Sequence, residues 1–192
     1  AHQALTEAGL SRRDGESGPP GRSLKFRQCE RSYAGLGVTV DLHWRVEATP
    51  GYFSAPFDDL WRRRWDYADS GIRFSTPGPI DALLITAVHG ARERYWKWRW
   101  VLDAVRQVEA QGPAEWRLAQ RLGRESGSSN ALSICAAVAS LAGAENTPGM
   151  QLDRQDLDRA RRWLGQGFNE ATSKSVGAAV SRKVDGWAVG DS

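Results

Sequence analysis

Residues 37–47 alternate apolar and polar side chains without a break, and this pattern constrains the fold more than any other stretch of the chain. The alternation predicts a half-buried β-strand, because successive side chains of a strand point to opposite faces. Neighbours on one face of a strand stand roughly 6–7 Å apart. We therefore expect a carboxylate, an imidazole and a guanidinium in one row, supplied by Asp41, His43 and Arg45.

The residues ahead of this strand predict a partner for it. A weaker alternation over 24–33, followed by a short connection at 34–37, is typical of a β-hairpin. Residues 2–10 predict the end of a helix that stops at a glycine. Residues 11–22 are rich in Gly, Ser, Pro and charge, and predict a flexible loop.

Further along, the pattern changes from strand-like to helical. A short helix is expected from Phe57 and an extended piece at 71–75, after which Pro79 opens a helix that runs to about Arg92. Four more helices are expected, at 98–111, 116–123, 131–142 and 157–164. The predicted fold class is therefore α+β, with a small mixed or antiparallel sheet followed by a helical layer. The expected division is a sheet part at 1–76, a helical layer at 77–165 and a flexible tail at 166–192.

Composition narrows the class of protein. The net charge of +3 and pI of about 9.1 suit a phosphate-bearing partner without requiring one. Cys29 and Cys135 lie in unlike contexts, which favours neither a disulfide framework nor a zinc cluster and suggests a cytoplasmic protein. The longest apolar run, 134–144, is too short to cross a bilayer, so no membrane partner is expected.

Five motifs in order carry a family resemblance. The chain resembles the uncharacterised nucleotidyltransferase family of bacterial proteins, within the polymerase-β-like nucleotidyltransferase superfamily. The motifs are Val-Asp-Leu-His-Trp-Arg at 40–45, Phe-Asp-Asp-Leu-Trp at 57–61, Pro-Ile-Asp-Ala-Leu-Leu at 79–84, His-Gly-Ala-Arg at 89–92 and Trp-Val-Leu-Asp-Ala-Val at 100–105. The resemblance implies a sheet with three metal-binding carboxylates, Mg²⁺, and transfer of a nucleoside monophosphate from a nucleoside triphosphate to an unknown acceptor.

The resemblance also implies roles for particular residues. Asp41 matches the third carboxylate, which makes it a candidate catalytic residue and metal ligand, with His43 as a second catalytic candidate. Candidate substrate-binding residues are Arg45, His89 and Arg92. The family's first two carboxylates lie in a Gly-Ser loop and an Asp-x-Asp strand ahead of the helix that matches 2–10, and the sequence contains neither motif at that position. We therefore expect the complete form to be the active one, and this chain alone to be inactive and not to hold Mg²⁺ by itself.

Two departures from the family pattern stand near His89. Glu93 occupies the position where the family tends to have a second histidine, and Tyr95 stands where Trp is common.

Simpler interpretations stay open. Without the resemblance, Asp41 would be interpreted as a solvated or Arg45-paired carboxylate. His89 with Gly90 can be explained as a site of close helix packing. The alternative function is a non-catalytic module that binds nucleic acid or protein through the basic, aromatic helix at 92–106. A third possibility is a degenerate homologue whose missing strand comes from another chain, which would leave an open edge beside the strand of Asp41.

Overall fold

The computed structural model describes residues 1–13, 30–47, 52–145 and 152–170. Within these ranges the chain forms seven helices and two small antiparallel sheets, so the predicted α+β class is confirmed. The chain divides into two compact units. Unit 1 is Ala1–Gly78 with Glu125–Ser128, and unit 2 is Pro79–Arg124 with Ser129–Ser192.

The first sheet of unit 1 follows helix α1, His2–Glu7. Its strands are β1 (Ser11–Arg12), β2 (Glu30–Gly35) and β3 (Val38–His43), in the order β1-β2-β3 and antiparallel throughout. The predicted hairpin of β2 and β3 is therefore confirmed. Its two-residue turn places Leu36 and Gly37 at φ 52° and 76°, the positive values that match the twist of the flanking strands.

Several predicted boundaries in this sheet were wrong. The strand expected at 37–47 ends at His43, where its pairing with Glu30 ends, so Arg45 lies beyond it. The helix expected at 2–10 ends at Glu7, and the loop expected at 11–22 begins with β1, because Ser11 and Arg12 pair with β2. The remainder of that loop from residue 14 on, and residues 24–29 of the predicted first strand, lie outside the described residues.

A second hairpin follows in unit 1. Helix α2, Phe57–Arg62, was predicted, and it precedes strands β4 (Trp65–Asp69) and β5 (Ile72–Thr76). These strands pair antiparallel, with Tyr67 opposite Phe74. The extended piece expected at 71–75 corresponds to β5, whereas β4 was missed because its alternation spans only five residues. Every residue of β4 is exposed, so the pairing itself, rather than burial, organises this strand.

Five helices form the described part of unit 2. They are α3 (Pro79–Arg92), α4 (Trp98–Glu109), α5 (Pro113–Ser126, whose last two residues belong to unit 1), α6 (Ser129–Leu141) and α7 (Arg154–Glu170). Helix α3 has its predicted bounds. Helix α7 continues to Glu170, past the start of the tail expected at 166–192, and residues 171–192 lie outside the described ranges.

Helix α6 is the centre of unit 2. It packs against α3, α4 and α7, and half of its eight buried residues are alanine, which lets neighbouring helices approach closely. Helix α3 contributes Leu83, Leu84 and Val88 to the core, each almost wholly buried. Burying one such side chain stabilises a fold by about 1.5–3 kcal/mol. Burial also raises the pKa of the Cys135 thiol in α6 to about 12, although its hydrogen bond with Tyr95 opposes that rise.

No helix in the described part of the chain combines the length and the hydropathy that a bilayer crossing requires.

Candidate functional site

The polar face of the first sheet brings four functional side chains together. The register places Ser32 opposite Asp41 and Glu30 opposite His43. Ser32 Oγ donates a hydrogen bond to Asp41 Oδ1 over 2.5 Å, and His43 Nε2 lies 2.8 Å from Glu30 Oε2. The side chains of His43 and Glu30 are 38% and 42% exposed. The face is therefore open to solvent and carries two carboxylates, an imidazole and a hydroxyl.

The opposite face of the same sheet explains why this one faces water. Tyr33 points the other way and is fully buried, and its hydroxyl lies 2.8 Å from Nδ1 of His2 in α1. Val40 and Leu42 of β3 are half-buried on that side. Because side chains alternate along a strand, the burial of these apolar residues commits Asp41 and His43 to the solvent side.

Strand β3 lies at the edge of its sheet. Among the described residues, β2 is the strand that pairs with it, and no strand pairs with its other edge. A free edge offers a row of backbone donors and acceptors that can pair with a further strand. Asp41 therefore lies on an edge strand that can accept such an addition.

The other predicted site residues lie elsewhere. Arg45 is exposed, two residues beyond the end of β3. His89 and Arg92 belong to α3 in unit 2, where the His89 ring stacks on Trp100 with centroids 5.8 Å apart and planes at 8°, and Arg92 Nη2 lies 3.6 Å from Glu93 Oε1. The structure thus groups Asp41 with His43 in one unit and gives His89 and Arg92 their own neighbours in the other.

The donors around Asp41 fit a magnesium site only in part. Mg²⁺ prefers oxygen ligands in octahedral geometry and is usually held by one or two carboxylates plus substrate phosphates and waters. Asp41 supplies an exposed carboxylate of this kind. Among the described residues, however, no group of three or more His, Cys, Asp or Glu side chains is placed to hold a metal ion.

Comparison with known families identifies the group to which this architecture belongs. A family model described as "Uncharacterised nucleotidyltransferase" matches residues 1–142. The chain belongs to this family. The match includes the polar face of the first sheet and helices α3 to α6, so residues from both units contribute to the family pattern. The family's name implies a nucleotide substrate. No curated protein and no solved structure matches the chain.

Sequence reasoning missed the two partners of the candidate catalytic pair. Ser32 and Glu30 can be identified once the hairpin turn is known to contain two residues. That length fixes the register, which places Ser32 opposite Asp41 and Glu30 opposite His43. Turns of this kind usually carry Asn, Asp or Gly at both central positions. Leu36 occupies the first of them here, with a positive φ, so the turn lacks its usual sequence signal.

A small cleft in unit 2 contains none of the predicted site residues. Its lining residues are Trp116, Gln120, Ser133, Ala136, Leu152, Asp153 and Asp156. Burial raises the pKa of Asp156, against the lowering effect of Arg159, and Asp153 raises it further. Asp153 itself is used locally, since its Oδ1 accepts a hydrogen bond from the backbone N–H of Gln155 at the start of α7.

Proposed function

We propose that this protein takes part in the transfer of a nucleoside monophosphate from a nucleoside triphosphate to an acceptor, with Mg²⁺ as cofactor and Asp41 as one ligand of the metal. The observation that carries the proposal is the exposed Asp41 carboxylate on an edge strand, in a chain that belongs to a nucleotidyltransferase family. When bound, Mg²⁺ neutralises charge on the phosphates and positions them.

The neighbours of Asp41 support a ligand role for it. The hydrogen bond from Ser32 occupies Oδ1, which fixes the rotamer, while Oδ2 has no partner among the described residues. A carboxylate that is oriented before it binds loses less entropy when it does so. Ser32 is thus assigned the role of positioning Asp41.

The remaining assignments follow from chemistry and from the family resemblance. His43 is proposed to exchange a proton with the substrate, with Glu30 holding its ring through Nε2. Arg45 is proposed to bind the triphosphate, because guanidinium groups match phosphate oxygens in bidentate fashion. His89 and Arg92 are proposed as substrate-binding residues on the resemblance alone.

A nucleotide-binding titration tests the ligand role of Asp41. Nucleotide phosphates supply further ligands to Mg²⁺, so the chain should bind magnesium-nucleotide although it is not expected to hold the ion by itself. Equilibrium dialysis with each of the four labelled nucleoside triphosphates, with Mg²⁺ and with EDTA, measures that dependence. The ratio of nucleotide affinity in Mg²⁺ to nucleotide affinity in EDTA should fall about tenfold or more in Asp41→Asn. Losses of this size are typical when support of a metal site is removed.

The control for that titration is Asp69→Asn. It removes the same charge from an exposed strand residue of unit 1 and should bind nucleotide as the wild type does. Binding that depends on neither Mg²⁺ nor Asp41 would sink the proposal.

Turnover by this chain is a separate question. We propose that these 192 residues by themselves do not turn over nucleotide, because the resemblance implies three metal-binding carboxylates and matches only Asp41 to one of them. Pyrophosphate release from the four triphosphates should therefore not exceed that of Asp41→Asn. Release that depends on Asp41 would contradict the inactivity while supporting the reaction type.

A further inference from the structure

Residues 93–97 form the connection between α3 and α4, so the basic, aromatic helix expected at 92–106 was wrong in this part. The connection is held in place by one buried ring. Tyr95 is 2% exposed, and its hydroxyl donates towards the carbonyl oxygen of Ala87 at 3.4 Å. The ring fills the space above Gly90, where an added Cβ would lie 2.3 Å from ring carbons. Arg94 and Tyr95 both have φ of 50°, a left-handed conformation that costs about 1–3 kcal/mol for a residue other than glycine. Burial of Tyr95 offsets that strain and fixes the loop.

The fixed loop displays positive charge. Residues 92–99 contain four cations and one carboxylate, a net charge of +3 that equals the net charge of the whole chain. We call the side chains of Arg94, Trp96, Lys97 and Arg99 the basic surface. Arg94 and Arg99 are exposed, and Trp96 is 51% exposed. These eight residues therefore have the same net charge as the whole chain, and the net charge of all the other residues together is zero.

The one carboxylate in this stretch is already engaged. Glu93 Oε2 accepts a hydrogen bond from Trp96 Nε1 over 2.9 Å, and Arg92 Nη2 lies 3.6 Å from Glu93 Oε1. The bond from Trp96, with the charges of Lys97, Arg92 and His89, lowers the pKa of Glu93 against the effect of burial. Arg94 makes no ion pair within the described residues. The basic surface therefore has charge available for an external anion.

The two indole rings of this region differ in what they can still bind. Trp100 is stacked on His89 and carries the Arg99 guanidinium 4.8 Å from its ring centroid. Trp96 carries the Lys97 ammonium 4.5 Å from its centroid but remains half exposed. Lys97 and Arg99 are thus positioned by aromatic rings, and Trp96 keeps surface for a further planar group.

We propose that the basic surface binds single-stranded nucleic acid, with backbone phosphates on Arg94, Lys97 and Arg99 and one base stacked on Trp96. Cations next to an open aromatic face are the combination that neutralises phosphates and stacks bases. An acidic peptide would use the charges and leave the indole face without a matching planar group, which is why nucleic acid is the better occupant. The inference stands apart from nucleotidyl transfer, since the basic surface contains none of the residues that we assign to the metal, to proton exchange or to the nucleotide.

Fluorescence anisotropy with a labelled single-stranded oligouridine tests this, as a function of salt. The triple variant Arg94→Ala/Lys97→Ala/Arg99→Ala should bind at least tenfold more weakly at low salt. Its slope of log affinity against log salt should be shallower by about 2, which is roughly 0.7 for each lost phosphate contact. The matched control is Arg117→Ala/Arg121→Ala/Arg124→Ala, which removes three exposed arginines of α5 and should change neither quantity. Equal losses in both triple variants, or no binding by the wild type at low salt, would overturn the proposal.

The role of Trp96 has its own test. Trp96→Ala should weaken oligouridine binding by about five- to a hundredfold, the range for loss of one stacked base, whereas Trp96→Phe should retain most of the affinity. Inorganic polyphosphate, which has no bases, should bind Trp96→Ala and wild type equally. If Trp96→Ala leaves oligouridine binding intact, the surface attracts polyanions only and the proposed base contact is wrong. Asp41→Asn should bind oligouridine normally, so failure here and failure of the proposed transfer reaction are distinguishable.

Discussion

Tyr95 in unit 2 and Tyr67 in unit 1 are the same residue type in opposite circumstances. Tyr95 is 2% exposed and fills the space above Gly90, whereas Tyr67 is 44% exposed and stacks on Phe74, which is 47% exposed, with centroids 5.6 Å apart. The first ring is held by surrounding helices, and the second by Phe74 across a hairpin and by Trp65 on its own strand. A two-stranded hairpin alone is marginally stable in water, so ring stacking is a large part of what supports β4 and β5.

This difference in burial distinguishes the residues that stabilise the fold from the exposed residues that can take part in binding or catalysis. Helices α3, α4 and α6 share a buried core, so changes at their contacts should alter folding. Asp41 and His43 lie on the solvent face of a thin sheet, so changes there should alter chemistry and leave folding nearly untouched. Substitutions in the two regions test that contrast.

The largest effect is expected for Tyr95→Ala. Removing a buried aromatic ring costs about 3–5 kcal/mol of unfolding free energy, because transfer and cavity terms add. Urea denaturation followed by circular dichroism at 222 nm measures it, since helices dominate that signal. Tyr95→Phe keeps the ring and should cost about 1 kcal/mol for the lost hydroxyl hydrogen bonds. A cost below about 1 kcal/mol for Tyr95→Ala would contradict the core role of the ring.

Gly90→Ala should come next, at about 1–3 kcal/mol, because the new Cβ would overlap the Tyr95 ring. The same substitution in a Tyr95→Ala background should cost much less, since the clash is gone and the two sites are coupled. Gly165→Ala is the matched control, because an added Cβ in that part of α7 meets nothing within 4 Å and should be neutral or stabilising. A similar loss at Gly90 and Gly165 would mean that Tyr95 does not occupy the space above Gly90.

Tyr67→Ala should be milder, at about 0.2–1 kcal/mol, the range for one cross-strand pair. Hydrogen exchange of the β4 and β5 amides measures the local effect. A cost as large as that of Tyr95→Ala would break the comparison directly, because it would mean that the hairpin aromatics are covered in solution.

Glu93→Gln gives a pH-dependent effect that should stay below about 1 kcal/mol, since water screens part of the interaction. The pKa of Glu93 is lowered in the folded protein, so its ionised form adds stability above its ordinary value of 4.5, and this contribution is lost as the pH falls through the folded pKa. The stability gap between wild type and Glu93→Gln should therefore be present at neutral pH and close on acidification. If the stability difference between wild type and Glu93→Gln increased on acidification, the pKa of Glu93 would be raised rather than lowered by folding.

The smallest stability change is expected for Asp41→Asn, within about 0.5 kcal/mol, since it alters an exposed strand residue. Asp41 Oδ1 accepts a hydrogen bond from Ser32, and the amide oxygen of an asparagine can accept the same bond. Urea denaturation compares the variant with wild type. A loss above about 1 kcal/mol would show that the polar face contributes to folding.

Most of the fold could be predicted from the apolar pattern, because the outer helices of unit 2 show helical periodicity and the central helix α6 is almost continuously apolar. Helix α3 matched its prediction at both ends, since Pro79 marks its start and its apolar residues recur at helical spacing. Strand β4 was missed because all its residues are exposed, so burial imposes no long pattern on it. The end of β3 was misplaced because alternation continues past His43, where pairing with β2 stops.

The candidate site was predictable only in part. Asp41 and His43 were found from the row of polar residues on one strand face, and their grouping follows from strand geometry alone. Ser32 and Glu30 depend on the register of the hairpin, which the unusual turn residue Leu36 concealed. The roles of all five candidate site residues stay predictions, because no local sequence pattern reports what a side chain binds. They are Asp41, His43, Arg45, His89 and Arg92.

The buried thiol of Cys135 makes the core of unit 2 accessible to measurement. With its pKa raised to about 12 and the side chain wholly enclosed, the thiol is protonated and inaccessible at neutral pH, and only the thiolate reacts readily with alkylating reagents. In a Cys29→Ser background, the rate at which Cys135 is labelled therefore reports how often the helices around it separate. When closing is faster than alkylation, the kinetics give the opening equilibrium constant of this core, and when alkylation outpaces closing they give its opening rate.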